Sequence, residues 1–82
     1  MENEMAEVAR DETCARNILK IFEAEKTAPD KMMIIGAVAI KHQERFSGVD
    51  DFERGLAYGI EAGWFRAEDV MLFLTQNGFD EI

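Results

Sequence analysis

The sequence predicts an α+β domain that is mainly helical, with three helices followed by a short C-terminal β-hairpin. The first 26 residues contain no Gly or Pro, and apolar residues recur there at helical spacing. A later segment repeats that helical pattern, whereas the residues after Gly63 are rich in aromatic and β-branched side chains around a short polar turn. A chain of 82 residues is sized for one domain.

Helix 1 is predicted from apolar residues at i, i+3, i+4 and i+7, which are Ala15, Ile18, Leu19 and Phe22. Residues 1–12 have few apolar side chains to bury, so we expect them to be an acidic N-terminal extension of helix 1 that frays or projects. Residues 13–82 then form the single domain. A turn is expected at residues 27–30, because Pro29 cannot donate the hydrogen bond that would continue a helix.

The nearly continuous apolar segment from Met32 to Ile40 is interpreted as a strand followed by a helix. The first two or three residues form the strand, on which Met32 and Met33 point to opposite faces, so that one of them faces outward. A buried helix 2 runs from Ile35 to Arg45, with one face formed by Ile35, Val38, Ala39 and His42. Ser47-Gly48 ends helix 2, and Ser47 opens helix 3.

Helix 3 has two contrasting sides. Its core side consists of Val49, Phe52, Leu56 and Ile60, and its outward side carries Asp51, Arg54, Tyr58 and Glu61. Gly55, Gly59 and Gly63 lie four residues apart at the edge of the core side, where we expect them to let another helix approach closely. Gly63 also provides a left-handed terminus.

A hairpin is predicted from Trp64-Phe65-Arg66 and residues 70–74, joined by a polar turn at residues 67–69. The alternative is a short helix over residues 67–76. The ring of Phe79 is expected to pack back on the core.

This order of elements resembles that of a small bacterial winged helix-turn-helix domain. Residues 52–65 are similar to the third helix of such domains running into the first wing strand, and residues 74–79 to the end of the second wing strand. The resemblance covers residues 13–80. It implies a winged-helix-like fold and DNA binding, with the third helix in the major groove and the wing on the backbone.

The distribution of charge opposes DNA binding. The net charge is -8, and residues 46–82 contain eight acidic residues against only Arg54 and Arg66. The favoured hypothesis is therefore a non-enzymatic domain that binds a protein partner through the acidic face of helix 3, with Tyr58 as the anchor among Asp51, Arg54 and Glu61. The alternatives are a winged-helix transcriptional regulator and an acidic mimic of nucleic acid.

The composition also indicates which chemistry to expect. With one cysteine and one histidine we predict no catalytic residue, no cofactor and no metal site. His42-Gln43-Glu44 matches only the His-x-Glu half of a zinc deaminase signature, and Cys14 is expected to fill the core.

Cytoplasmic localisation is expected, because the N-terminus is acidic, no apolar run is long enough for a membrane span, and a single cysteine suits a reducing compartment. No membrane partner is therefore expected. Homodimerisation through helix 1 or the Met32/Met33 region is a further option that the sequence leaves open.

Overall fold

A computed structural model describes residues 2–27, 31–46 and 49–82, with side chains from residue 10 onward except those of residues 28–30 and 47–50. This part of the chain forms four helices and three strands. They are α1 (Glu2–Ala24), β1 (Met32–Ile34), α2 (Ile35–Phe46), α3 (Val49–Glu61), β2 (Phe65–Glu68), β3 (Met71–Leu74) and α4 (Gln76–Asp80). The predicted class, α+β and mainly helical, is confirmed.

Two parts of the fold prediction need correction. A fourth helix, α4, follows β3, and it begins where Thr75 accepts a hydrogen bond from the backbone N–H of Gly78. The C-terminal hairpin also does not stand alone, since β1 pairs antiparallel with β3 to give a three-stranded sheet of order β1-β3-β2. The third strand provides hydrogen-bond partners for the backbone groups along one edge of β3, which would be unpaired in an isolated two-stranded hairpin.

The prediction that a short strand and then a helix follow Lys31 is confirmed. β1 covers three residues and α2 starts directly at Ile35, with Val38 and His42 buried on its inner face. Met32 is 53% exposed whereas Met33 is half-buried, as their adjacent positions on a strand require.

The hairpin prediction is also confirmed, and the alternative helix over residues 67–76 is wrong. The turn lies at Asp69-Val70, slightly later than predicted, because Ala67 and Glu68 pair with Leu72 and Met71 as part of β2. Asp69 adopts a left-handed φ of 57°, a conformation that aspartate tolerates better than most residues.

The core lies between α1 and the inner face of the sheet. Phe22 from α1 stacks on Phe65 from β2 with ring centroids 5.6 Å apart. The other fully enclosed apolar side chains come from α1, α2 and β3, and they are Ala15, Ile18, Ile21, Val38, Leu72 and Leu74. This packing orients α3 as well, since α3 lies along α1.

The side of α3 that faces the core differs from the prediction. Phe52 is buried, but Ile60 is 41% exposed and does not belong to the core side. Gly55 and Gly59 are buried in its place, so the buried line of α3 runs through its glycines. Gly63 has a φ of +79°, which confirms the left-handed terminus.

The ring of Phe79 is exposed, so its predicted return to the core is wrong.

Several predictions fall outside the described residues. These are the turn around Pro29, the helix boundary at Ser47-Gly48, and the side chain of Val49. The α1 backbone is helical from Glu2, and the side chains of residues 1–9 are outside the described part, so their fraying stays a prediction.

Candidate partner-binding face

The four residues predicted as a partner site lie along one side of α3, and α1 adds two carboxylates to them. Asp51, Arg54, Tyr58 and Glu61 are spaced at i, i+3, i+7 and i+10, which keeps them on one side of a helix. Because α1 packs along α3, two of its acidic residues meet this side. We call the combined surface the α1–α3 face, and its members are Asp11, Glu12, Asp51, Arg54, Tyr58 and Glu61.

Arg54 is paired across this face. Its Nε atom lies 3.6 Å from Oδ1 of Asp11, which is an ion pair and too long for a hydrogen bond. Both side chains remain partly exposed, so the pair adds little to stability. Its effect is electrostatic, since the one cation of the face is offset by a carboxylate of α1.

Tyr58 is held in place by two neighbours. Its hydroxyl donates a hydrogen bond to Oε1 of Glu12 at 3.1 Å, and its ring meets Trp64 edge-on with centroids 5.7 Å apart. Partial burial raises the pKa of Tyr58, and the Glu12 carboxylate raises it further. Tyr58 is half-buried, and these two contacts fix the orientation of its side chain.

Arg16 organises the residues behind the face. Its guanidinium donates from Nε to Glu12 at 3.0 Å and from a terminal nitrogen to Glu81 at 3.1 Å. The same group lies 5.0 Å from the centre of the Trp64 ring, at cation–π distance. Hydrogen bonding to Arg16, followed by that to Tyr58, lowers the pKa of Glu12. The network joins α1 to α3, to the start of β2 and to the C-terminus.

Asp11, Glu12 and the network around Arg16 were not predicted as part of a site from the sequence. Arg16 and Glu12 have the i, i+4 spacing of a helical ion pair, and that signal was available in the sequence. Glu81 lies 65 residues from Arg16, and no local pattern links the two. Of the predicted residues, Glu61 is exposed, Asp51 is half-buried, and Arg54 and Tyr58 have partners on α1.

Arg66, the second arginine of residues 46–82, is paired as well. Its Nε atom lies 3.1 Å from Glu68, and its guanidinium stands 4.4 Å from the centre of the Phe73 ring. The two basic side chains that a DNA-binding mode would use therefore both have a carboxylate partner. Releasing them to bind phosphates would cost those pairs and leave the carboxylates facing the polyanion.

The outer face of the sheet is a second exposed surface, and it is largely apolar. The strand register places Met32 opposite Phe73 and Ile34 opposite Met71 on this face. Met32 and Ile34 are exposed, and on the other side of β3 the pair of Arg66 with Glu68 on β2 lies beside Phe73 and Met71. The alternation in β1 had indicated one outward methionine, but the full apolar face depends on the pairing of β1 with β3.

Cys14 and His42, the two side chains best suited to catalysis, are both buried. Burial raises the pKa of the Cys14 thiol, which keeps it protonated, and it lowers the pKa of His42. Glu44, the second residue of the His-x-Glu pattern, is exposed while His42 is buried. Within the described ranges, no group of three or more His, Cys, Asp or Glu residues is arranged to hold a metal ion.

An open groove of about 200 Å³ runs between α1 and α2. Two basic and two acidic side chains line it, and Lys41 and Glu25 form an ion pair of 2.6 Å there. This pairing leaves no strong net charge to select a ligand.

Comparisons of the chain with protein-family models, with curated proteins and with solved structures find no match. Among the helices described, none combines the length and apolar character that crossing a membrane requires.

Proposed function

We propose that this chain is a non-enzymatic interaction domain whose α1–α3 face binds a protein partner that presents basic side chains. The observation that carries the proposal is the alignment of Asp51, Arg54, Tyr58 and Glu61 on one side of α3. On the same side, Arg54 pairs with Asp11 of α1 and Tyr58 donates a hydrogen bond to Glu12 of α1. Complementary charge of this kind accelerates association and selects the partner.

Tyr58 supports the proposal as the anchor. An aromatic side chain that is already oriented loses little conformational freedom when a partner covers it. Tyr58 is oriented by Glu12 and by the ring of Trp64, while the side chain as a whole is only half-buried. Tyrosine is also among the residues that contribute most to binding energy at interfaces.

A winged-helix-like arrangement is the finer fold that we propose. The order of elements from α1 to β3, together with a sheet of order β1-β3-β2, supports it. A shared fold does not carry DNA binding with it. We favour a protein partner over DNA because Arg54 and Arg66 are both paired with carboxylates. We also favour a cytoplasmic location, because a single buried cysteine is typical of proteins from a reducing compartment.

The proposal is tested by quantitative affinity capture from a lysate of the native cells, with the wild-type chain and two charge reversals as baits. Glu61→Lys reverses an exposed charge on the α1–α3 face, and Glu44→Lys reverses a charge on α2 that is also exposed and is not part of the face. We expect a protein captured by the wild type to be retained by Glu44→Lys and depleted at least about tenfold by Glu61→Lys.

Equal capture by all three baits would contradict the proposal, as would capture of no protein by the wild type. Duplex DNA added to the lysate separates the mimic hypothesis from a general protein partner. Displacement of the captured protein by DNA would identify it as a nucleic-acid-binding protein and the face as a mimic of its ligand.

A further inference from the structure

Among the side chains that the structure describes, His42 is the one polar or charged group that is buried, and the proposed function does not use it. It is only 1% exposed. Its ring packs between Phe46 of α2 and Phe52 of α3, at centroid distances of 5.3 and 5.6 Å. Neither of its nitrogen atoms has a hydrogen-bond partner among the described residues. A buried polar group without a partner costs stability, and a charged one costs far more.

The surroundings of His42 contain little that would stabilise a positive charge inside the core. From α3, Asp51 is the charged group that acts on the imidazole, and it is half-exposed at the surface. From α1, the Cys14 thiol is acted on by the same Asp51 charge as His42, and burial keeps this thiol neutral. On α2 itself, Arg45 lies over the outer side of Phe46 and adds a positive charge. The side chain of Asp50 is outside the described residues.

We infer that the contact between α2 and α3 is a proton-sensitive latch, closed while His42 is neutral and opened when His42 takes up a proton. The neutral imidazole fits between the two phenylalanine rings. The imidazolium requires water or a carboxylate, and Asp51 lies beside Phe52 at the surface, where it can receive the charge. The ring therefore moves outward on protonation, and α2 and α3 lose the packing of Phe46 and Phe52 against it.

The latch acts on the helix that carries the α1–α3 face, because Phe52 directly follows Asp51 in α3. Opening the contact changes the position of α3 relative to α2. The inference concerns the free protein and does not depend on the identity of any partner, so it can fail or succeed separately from the proposed function.

The test is a pH titration of the isolated protein followed by NMR. His42 is the single histidine of the chain, so the imidazole Cε1–H signal needs no assignment by mutation. Between about pH 7.5 and about pH 5, we expect the signal to titrate with a midpoint below about 6.5, the ordinary value for histidine. Backbone amide signals of α2 and α3, and the ring signals of Phe46 and Phe52, are expected to shift with the same midpoint.

Two variants complete the test. His42→Leu fills the same site with an apolar side chain, and it is expected to abolish the shared transition. Asp51→Asn keeps the histidine but removes the carboxylate that favours its protonated form, so the transition is expected to move to lower pH. Amide signals of α2 and α3 that stay fixed while the imidazole titrates would overturn the inference, and so would an unchanged midpoint in Asp51→Asn, even if His42→Leu fails to fold.

Discussion

A β-carbon added to Gly55 would lie 2.6 Å from the carbonyl carbon of Cys14, a distance shorter than real β-carbons show to non-bonded atoms. Gly55 therefore lets the backbone of α3 touch that of α1 at this crossing. The contact fixes the rotation of α3 about its own axis, because position 55 has to face α1 for the two backbones to approach this closely. The residues on the other sides of α3, including those of the α1–α3 face, are oriented as a consequence.

Gly55→Ala is expected to lower the free energy of unfolding by about 1–3 kcal/mol, because the added methyl group meets backbone atoms that cannot move aside. Gly36→Ala is the matched control, since no atom lies within 4 Å of the position its β-carbon would occupy in α2. That variant is expected to gain up to about 1 kcal/mol from the helix propensity of alanine. Urea denaturation measures both variants. Equal stability of the two would show that the crossing is looser than the structure indicates.

The rotation of α3 also shows where prediction from the sequence stops. Apolar periodicity correctly gave α3 and its inner residue Phe52, but it placed Ile60 inward because a hydrophobic pattern counts large side chains and not glycines. The buried line runs through Gly55 and Gly59, where the absence of a side chain allows the closest approach. Glycine spacing predicted a close approach but not which helix would make it.

The sheet and the α1–α3 face show a second limit of prediction from the sequence. Local pattern was sufficient for β1 and the hairpin, because each depends on alternation within a few residues. The pairing of Met33 with Leu72 and the hydrogen bond from Tyr58 to Glu12 connect residues 39 and 46 positions apart, and such contacts are set by packing of the whole chain. Asp11 and Glu12 were consequently interpreted as part of a solvated extension.

Tyr58 is the only tyrosine of the chain, so its ionisation can be followed by ultraviolet absorbance. We expect a pKa above about 10, the ordinary value of tyrosine, because burial and the Glu12 carboxylate both disfavour the phenolate. Glu12→Gln removes the charge and should lower this pKa without restoring the ordinary value, since burial remains. Glu44→Gln, on α2, should leave it unchanged. Identical titration curves for Glu12→Gln and the wild type would contradict the contact between Tyr58 and Glu12.

His42 predicts a specific dependence of stability on pH. Its pKa is lowered in the folded protein by burial, whereas the unfolded chain has a value near 6.5. Below about pH 6.5 the imidazole of His42 binds a proton more readily in the unfolded state than in the folded state. The free energy of unfolding therefore falls as the pH falls toward the folded-state pKa. Above that range His42 is neutral in both states and has no effect.

The measurement is urea denaturation of the wild type and of His42→Leu at about pH 7.5 and about pH 5.5, a range that lies above the ordinary pKa values of carboxyl groups. The wild type should lose stability between the two conditions, and His42→Leu should lose distinctly less. A wild-type protein equally stable at both would show that folding does not lower the pKa of His42.

Random-sequence duplex DNA should not bind the chain at low ionic strength, where electrostatic attraction to a polyanion is strongest. Arg54 and Arg66 are paired with carboxylates, and both lie in the segment with eight acidic residues. Fluorescence anisotropy of labelled DNA provides the measurement. Binding that weakens steeply with added salt and disappears in Arg54→Ala would instead support a DNA-binding regulator.

The central claim is that the α1–α3 face binds the protein partner. Its most direct test is a titration of the captured partner against purified wild-type chain, Glu61→Lys and Glu44→Lys, with circular dichroism to confirm that all three are folded. We predict that Glu61→Lys binds at least about tenfold more weakly than the wild type, and that Glu44→Lys binds equally well. Equal dissociation constants for Glu61→Lys and the wild type would contradict the claim and locate the binding surface elsewhere on the molecule.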